Sequence, residues 1–212
     1  MHIAIIGSTG FIGSAILKEA LARGHHVTAL VAHPEKLPNV PGLTALGTDV
    51  LDQDRLATQL KSHDAVISAF SGHAQTEVYN YYMRGIRSII AATRQADVQR
   101  LLVVGGAGSL EVAPGVQLLD TPGFPEMYRQ SAEGARDALK LLREDALLNW
   151  TLLSPSAVIA PGKRTGEFRL GTDQLLVDAN GESRISVEDY AVAMVDELEK
   201  PAHPRKRFTV GY

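Results

Sequence analysis

The chain has 212 residues, enough for one α/β domain with a buried sheet and too few for two. An apolar share of 45% and a charged share of 21% are those of a globular protein, and a net charge of −3 supplies no basic field for gathering nucleic acid or anionic lipid. With no cysteine, disulfides, thiolate chemistry, iron–sulfur clusters and cysteine zinc sites are excluded.

Residues 2–6 are continuously apolar after His2, the pattern of a strand buried on both faces of a parallel sheet. Residues 10–23 set Ile12, Ala15, Ile16, Ala20 and Leu21 on one helical face, and Gly24 ends that helix. A second strand is predicted at 27–31, with Pro34 and Pro38 punctuating the loop behind it, and a third at 43–46. A short helix at 51–60 opens near Asp52, and a fourth strand at 65–70 ends in Ser71-Gly72. Residues 79–96 form a long helix with Met83, Ile86, Ile89, Ile90 and Ala92 inward, and the fifth strand, 100–104, runs into Gly105-Gly106-Ala107-Gly108.

The alternation then loosens. Residues 109–125 read as a loop, 126–144 as a helix, 150–153 as the sixth strand and 162–171 as another loop. A short strand at 174–177, an amphipathic helix at 187–200 and a last strand at 208–210 complete the chain. Arg205-Lys206-Arg207 reads as a solvated turn before that strand. The sum is a βαβ pattern: one α/β domain over 1–212, doubly wound, with a mainly parallel sheet, helices on both faces and substrate-covering loops in its C-terminal half. No apolar stretch reaches the ~20 residues that span a bilayer, and the N-terminal run is shorter than a signal core, so the expectation is a cytoplasmic protein without membrane or nucleic-acid partners, a monomer or weak homodimer.

Between the first strand and helix stand Gly7, Ser8, Thr9, Gly10, Phe11, Ile12 and Gly13. A pyrophosphate at a helix N terminus meets free amides and the positive end of the helix dipole, provided side chains there are nearly absent. Gly7 allows the tight turn, Gly10 the approach of phosphate, and Gly13 the close packing of helix on strand. The spacing is G-x-x-G-x-x-G, not the G-x-G-x-x-G of the dehydrogenase fingerprint, but its place between strand and helix predicts a Rossmann-type dinucleotide site. The second strand ends Val31-Ala32-His33-Pro34-Glu35-Lys36, with neither acid nor arginine expected at its tip. His33 and Lys36 there favour NADP, with NAD open; His33 reads equally as a solvated loop residue. The histidines show no metal-ligand spacing, so no metal site is expected.

With Asp49-Val50 after the third strand, Val103 to Leu110, Phe168 to Gly171, Asp173 to Leu175, and Val187 to Ala191 opening the last helix, the chain resembles the atypical short-chain dehydrogenases. Within them it is most similar to the NADH-flavin reductase subgroup, relatives of the flavin/biliverdin-IXβ reductases. The resemblance implies that Asp49 and Val50 flank the adenine, and that Ala69, Phe70 and Ser71 run beside the nicotinamide ribose. It also implies that Gly106, Ala107, Gly108 and Ser109 floor the nicotinamide and that Pro155 and Ser156 contact its carboxamide. Phe70 reads equally as core packing, and Asp49 has a loop-cap alternative.

Carbonyl-reducing members use a Tyr-x-x-x-Lys pair, commonly with a serine from the fifth strand. Here Tyr128 is followed at that distance by Ala132, and Tyr79, Tyr81 and Tyr82 by Met83, Gly85 and Ile86. Tyr128 and Ser109 are therefore the candidate catalytic residues of an incomplete set. Flavin reduction escapes this objection, since it asks the protein only to stack two planar systems and exclude water. The expected reaction is hydride transfer from NADPH to a small-molecule electron acceptor, FMN or FAD as a dissociable flavin, or a quinone. Residues 110–128 or 162–170 are candidate covers. Lys163, Arg164 and Arg169 are either surface charge or attractors of a flavin phosphate. Two alternatives stand: a sugar-nucleotide epimerase or dehydratase, and a non-catalytic NADP-binding redox sensor, as the fungal nitrogen-repression regulators resemble this fold.

Overall fold

The computed structural model describes residues 1–73 and 75–212. Strands buried on both faces come where isoleucine, valine and leucine run together: β1 (His2–Ile6), β2 (His26–Val31), β4 (Ala65–Ser68), β5 (Arg100–Val104) and β8 (Asn149–Ser154). With β3 (Leu43–Gly47), β10 (Arg169–Gly171) and β12 (Lys206–Gly211) they make an eight-stranded sheet in the order β10-β12-β8-β5-β4-β1-β2-β3. Every pairing is parallel except β10 with β12. The crossovers run through α1 (Phe11–Ala22), α2 (Gln53–Leu60), α3 (Val78–Gln95), α4 (Glu126–Glu144) and α5 (Val187–Glu199). This is the Rossmann-like, doubly wound α/β arrangement.

The alternation of Cβ direction along each strand divides the core in two. Ala4, Ile6, Val66, Leu101, Val103, Trp150 and Leu152 pack against α2, α3 and α4. Ile3, Ile5, Ile67, Leu102, Leu153, Phe208 and Val210 pack against α1 and α5. Among the described residues no helix is long and apolar enough to cross a membrane.

The structure departs from these expectations in five places. The loop 109–125 contains a hairpin, β6 (Glu111–Ala113) with β7 (Val116–Gln117), and a 3-10 turn at Leu118–Asp120. The strand expected at 174–177 is reduced to one bridge, Gln174 to Glu111; the edge strand instead forms inside the expected loop, as β10. A small parallel ribbon, β9 (Val158–Ala160) with β11 (Arg184–Ser186), was not expected at all. Only Arg205, left-handed at φ 54°, behaves as a turn; Lys206 and Arg207 belong to β12, with Arg207 buried. The fourth strand also stops at Ser68, two residues early.

Candidate functional site

Because the strands are parallel, the turns after β1, β4, β5 and β8 open on one edge of the sheet, the edge at which such folds bind ligands. At its centre Gly7 has φ 81°, and a Cβ there would stand 2.6 Å from the Ala69 carbonyl oxygen. One on Gly13 would stand 2.1 Å from the Gly7 carbonyl oxygen. Both glycines are thus demanded by the protein's own backbone. Gly10 differs: its nearest neighbour, the same oxygen, would lie 3.3 Å away, and the glycine is exposed. Gly10 N–H donates to Gly7 O at 3.1 Å, and the first helical bond runs from Ser14 N–H to Gly10 O at 2.9 Å.

No side chain among the described residues caps α1 at Gly10. Thr9, Gly10 and Phe11 are exposed there, Ile12 is half-buried, and Ser8 is fully buried, its hydroxyl without a partner among the described residues. A bare, uncapped helix start of twelve residues is what a pyrophosphate requires, and the residues present fit one.

At the β2 tip, His33 Nδ1 lies 3.2 Å from Glu35 Oε1, both side chains largely exposed. Glu35, which follows in the sequence, is thus folded back to the tip, where no acid was expected. Asp49 is exposed and its carboxylate accepts from Leu51 N–H at 2.9 Å, while Val50 is buried in the core. Ala69 is half-buried and Ser71 exposed beside it. The Phe70 ring turns under onto α3, 5.4 Å from Tyr81 and 6.0 Å from Tyr82 between ring centres, over a Gly85 whose Cβ would fall 2.2 Å from Phe70 Cε1. Gly85 is the residue four places after Tyr81, and it is bare because this ring covers it.

The segment after β5 packs on α4. Cβ atoms on Gly106 and Gly108 would lie 3.0 Å from Ala135 Cβ and 2.9 Å from Ala132 Cβ. Ala132 is where a Tyr-x-x-x-Lys lysine would stand, so the glycine segment fills that place. Ala107 is half-buried. Ser109 is buried, its Oγ accepting from Arg207 Nη1 at 3.2 Å. Tyr128 is 51% exposed in the first turn of α4. Tyr79 donates to Asp137 at 2.7 Å, and that carboxylate, with burial, raises its pKa; burial alone raises Tyr82. Both shifts run against proton donation. Pro155 is buried, and the buried Ser156 hydroxyl donates to Val210 O at 2.8 Å, holding β12 to the end of β8.

Of the two candidate covers, the one at 162–170 is strapped down. The fully buried Asp189, in the first turn of α5, accepts from Thr165 N–H and Gly166 N–H at 2.8 Å each, from the Thr165 hydroxyl at 2.6 Å and from the Tyr212 hydroxyl at 2.7 Å. Burial by itself would raise this carboxyl; the hydrogen bonds outweigh it and hold its pKa below the ordinary value. Arg164 adds a two-pronged pair to Glu19 at 2.7 and 2.8 Å. Arg169 donates to Val177 O and Tyr212 O. These two guanidinium groups are engaged by the protein rather than free for a phosphate, while Lys163 is exposed. The hairpin segment is tied along its base, by Leu118 N–H to Leu110 O, Leu119 N–H to Gly108 O and Glu111 N–H to Asp173 O, and its tip at Pro114 and Gly115 is exposed.

Sequence reasoning missed Asp189, although Ser186-x-x-Asp189 is a helix-start pattern and Ser186 Oγ accepts the Asp189 N–H. It also missed the Arg207–Asp173 pair, for which no local signal exists. Among the described residues no group of three or more histidine and carboxylate side chains is placed to hold a metal.

A family model described as NAD(P)H-binding matches residues 7–200. The chain is 43% identical to the uncharacterized protein YwnB of Bacillus subtilis (strain 168), covering 99% of this chain and 98% of that protein. It is 44% identical to the "putative epimerase" of Bacteroides thetaiotaomicron, with a TM-score of 0.94 and coverage of 100% and 96%. It is 35% identical to a "putative NADH-flavin reductase" of Streptococcus pneumoniae TIGR4, with a TM-score of 0.83 and coverage of 100% and 99%.

Proposed function

The chain belongs to the NAD(P)H-binding family, and from that premise we propose that it is an oxidoreductase that reduces a free flavin or a quinone-like acceptor with NAD(P)H. The observation that carries this reading is the packing of Gly108 on Ala132. Where carbonyl reductases keep a lysine that makes a tyrosine acidic, this chain has backbone, so its chemistry is of a kind needing no built-in acid. The bound nicotinamide would supply the hydride. The protein's own part is to hold the pyrophosphate at residues 7–13, to present a floor at Gly106–Ser109, and to keep water off one face with the hairpin at 109–120. The relative named an NADH-flavin reductase, alike over its whole length, supports the choice of acceptor.

The epimerase reading leans on the name of the Bacteroides thetaiotaomicron relative, but lacks the tyrosine–lysine pair. The sensor reading is favoured by the same acid-free site. Steady-state oxidation of NADPH and NADH, with FMN, FAD and a quinone as acceptors, separates them. Saturable turnover with a flavin or quinone is the expected result. Nucleotide binding without oxidation by any of the three would sink the enzyme reading in favour of the sensor.

A further inference from the structure

Arg207 is a buried charge beside the site that the proposed reaction does not use. Its side chain, 3% exposed, springs from the start of β12 on the face opposite Phe208 and Val210, the α4 side of the sheet. Nε and Nη2 both donate to Asp173 Oδ1, the former at 2.8 Å. Nη1 reaches Ser109 Oγ at 3.2 Å and Ser154 Oγ at 3.4 Å, and Nη2 reaches the Ser109 carbonyl at 3.4 Å. One planar cation therefore joins the segment after β5, the end of β8 and the segment 172–175. The first and last of these also exchange backbone bonds, Glu111 N–H to Asp173 O at 2.8 Å and Leu175 N–H to Glu111 O at 2.9 Å.

We propose that Arg207 is the positioning residue of the nicotinamide floor, fixing Ser109, and through it Gly106–Gly108, at the height the dihydropyridine ring requires. This rests on the oxidoreductase reading. A guanidinium suits the task because its fork is rigid and its charge permanent; a lysine would bring charge without the fork. Methionine keeps much of the side-chain volume, and Asp173, 52% exposed, can be solvated once its partner is gone. The floor is then free to shift, and a displacement of about 1 Å at a reacting centre costs up to roughly a hundredfold in rate.

The test compares Arg207→Met, Arg207→Lys and Ser109→Ala with the unaltered chain. Titration with ADP-ribose reads the adenine half and confirms folding; NADPH and NADH fluorescence reads the surroundings of the nicotinamide; single-turnover oxidation by FMN reads hydride transfer. Arg207→Met and Arg207→Lys should both keep ADP-ribose affinity within about twofold, change the nicotinamide emission and slow hydride transfer roughly tenfold to a hundredfold. Ser109→Ala should do the same to a smaller degree. Unchanged emission in Arg207→Met overturns the proposal, as does full recovery by Arg207→Lys. Loss of ADP-ribose affinity in step with all else would make Arg207 merely structural and also overturn it. If the unaltered chain oxidises nothing, the enzyme reading fails by itself, and the emission still decides the role of Arg207.

Discussion

Gly13 sits so close over Gly7 that a methyl group on the first would lie 2.1 Å from the carbonyl oxygen of the second. The helix that would receive the pyrophosphate is thereby pressed onto the strand that precedes it. Gly13→Ala should drive the two apart, costing about 1–3 kcal/mol of stability and abolishing nucleotide binding. Gly10→Ala meets only a 3.3 Å contact at an extended helix-cap position. It should cost at most about 1 kcal/mol, yet weaken NADPH binding tenfold or more by putting a methyl where phosphate approaches. Thermal melts and calorimetric titrations of the pair check this contrast; equal loss of stability in both would show that the turn has no ligand-facing side.

The place of a missing lysine can be probed directly. Ala132→Lys restores the Tyr-x-x-x-Lys spacing with Tyr128, but its side chain must displace Gly108 or bend away from it. The expected outcome is a cost of about 1–3 kcal/mol with no gain of carbonyl reduction. Assays of NADPH oxidation with small aldehydes and ketones decide it, and appearance of that activity would mean the acid-free reading misjudges the pocket.

How legible this was in the sequence depends on where each partner lies. Strands such as Ile3 to Ile6 and Ala65 to Ile67 announce themselves because burial on both faces demands unbroken apolar runs. The glycine turn was readable for a related reason: its chemistry consists of absent side chains, and absence is written locally. Arg169-Leu170-Gly171 carried no such mark, since an edge strand pairs on one side only and owes its place to β12, some forty residues on. Arg207 was misread because its meaning lies in Ser109, 98 residues away, and Asp173, 34 away. The β2 tip misled differently: Glu35, two residues beyond His33, folds back to it through a 3-10 turn at Pro34–Lys36.

The strap on residues 162–170 should show in acid. The Asp189 carboxyl is depressed in the folded chain, so its stabilisation is present above its unfolded value of about 4 and is lost as pH falls through the lower folded value. Asp189→Asn removes that charge and sets an amide donor against the Thr165 or Tyr212 hydroxyl, costing about 1–3 kcal/mol near neutrality. The gap in melting temperature between the two proteins should be widest above pH 4 and close as pH falls below it. A gap constant with pH would mean the carboxylate charge contributes nothing to the strap.

The Phe70 ring gives a test of whether core packing controls the site. Gly85→Ala drives a methyl to 2.2 Å from Phe70 Cε1, and the ring, boxed by Tyr81 and Tyr82, has little room to yield. Overpacking should cost about 1–3 kcal/mol and push out the segment 69–72, whose Ala69 carbonyl lies against Gly7. Nucleotide affinity should fall although position 85 is itself buried on α3. Unaltered affinity in a destabilised variant would show that the Phe70 ring is only a core filler.

Nucleotide choice should respond to a pair at the β2 tip. Glu35 holds His33 at 3.2 Å and sets a negative charge where a 2′-phosphate would come, though it could accept from a 2′-hydroxyl. Glu35→Gln removes the repulsion and frees the imidazole. Because both side chains are largely exposed, the gain should be modest, about two- to fivefold tighter NADPH binding with NADH unchanged or slightly weaker. High salt should shrink the gain, since exposed charges are screened over a Debye length. Calorimetry of both nucleotides against both proteins, at low and high salt, checks it. Equal changes for NADPH and NADH would remove Glu35 from any part in discrimination and move the search for the 2′-phosphate site to Lys36.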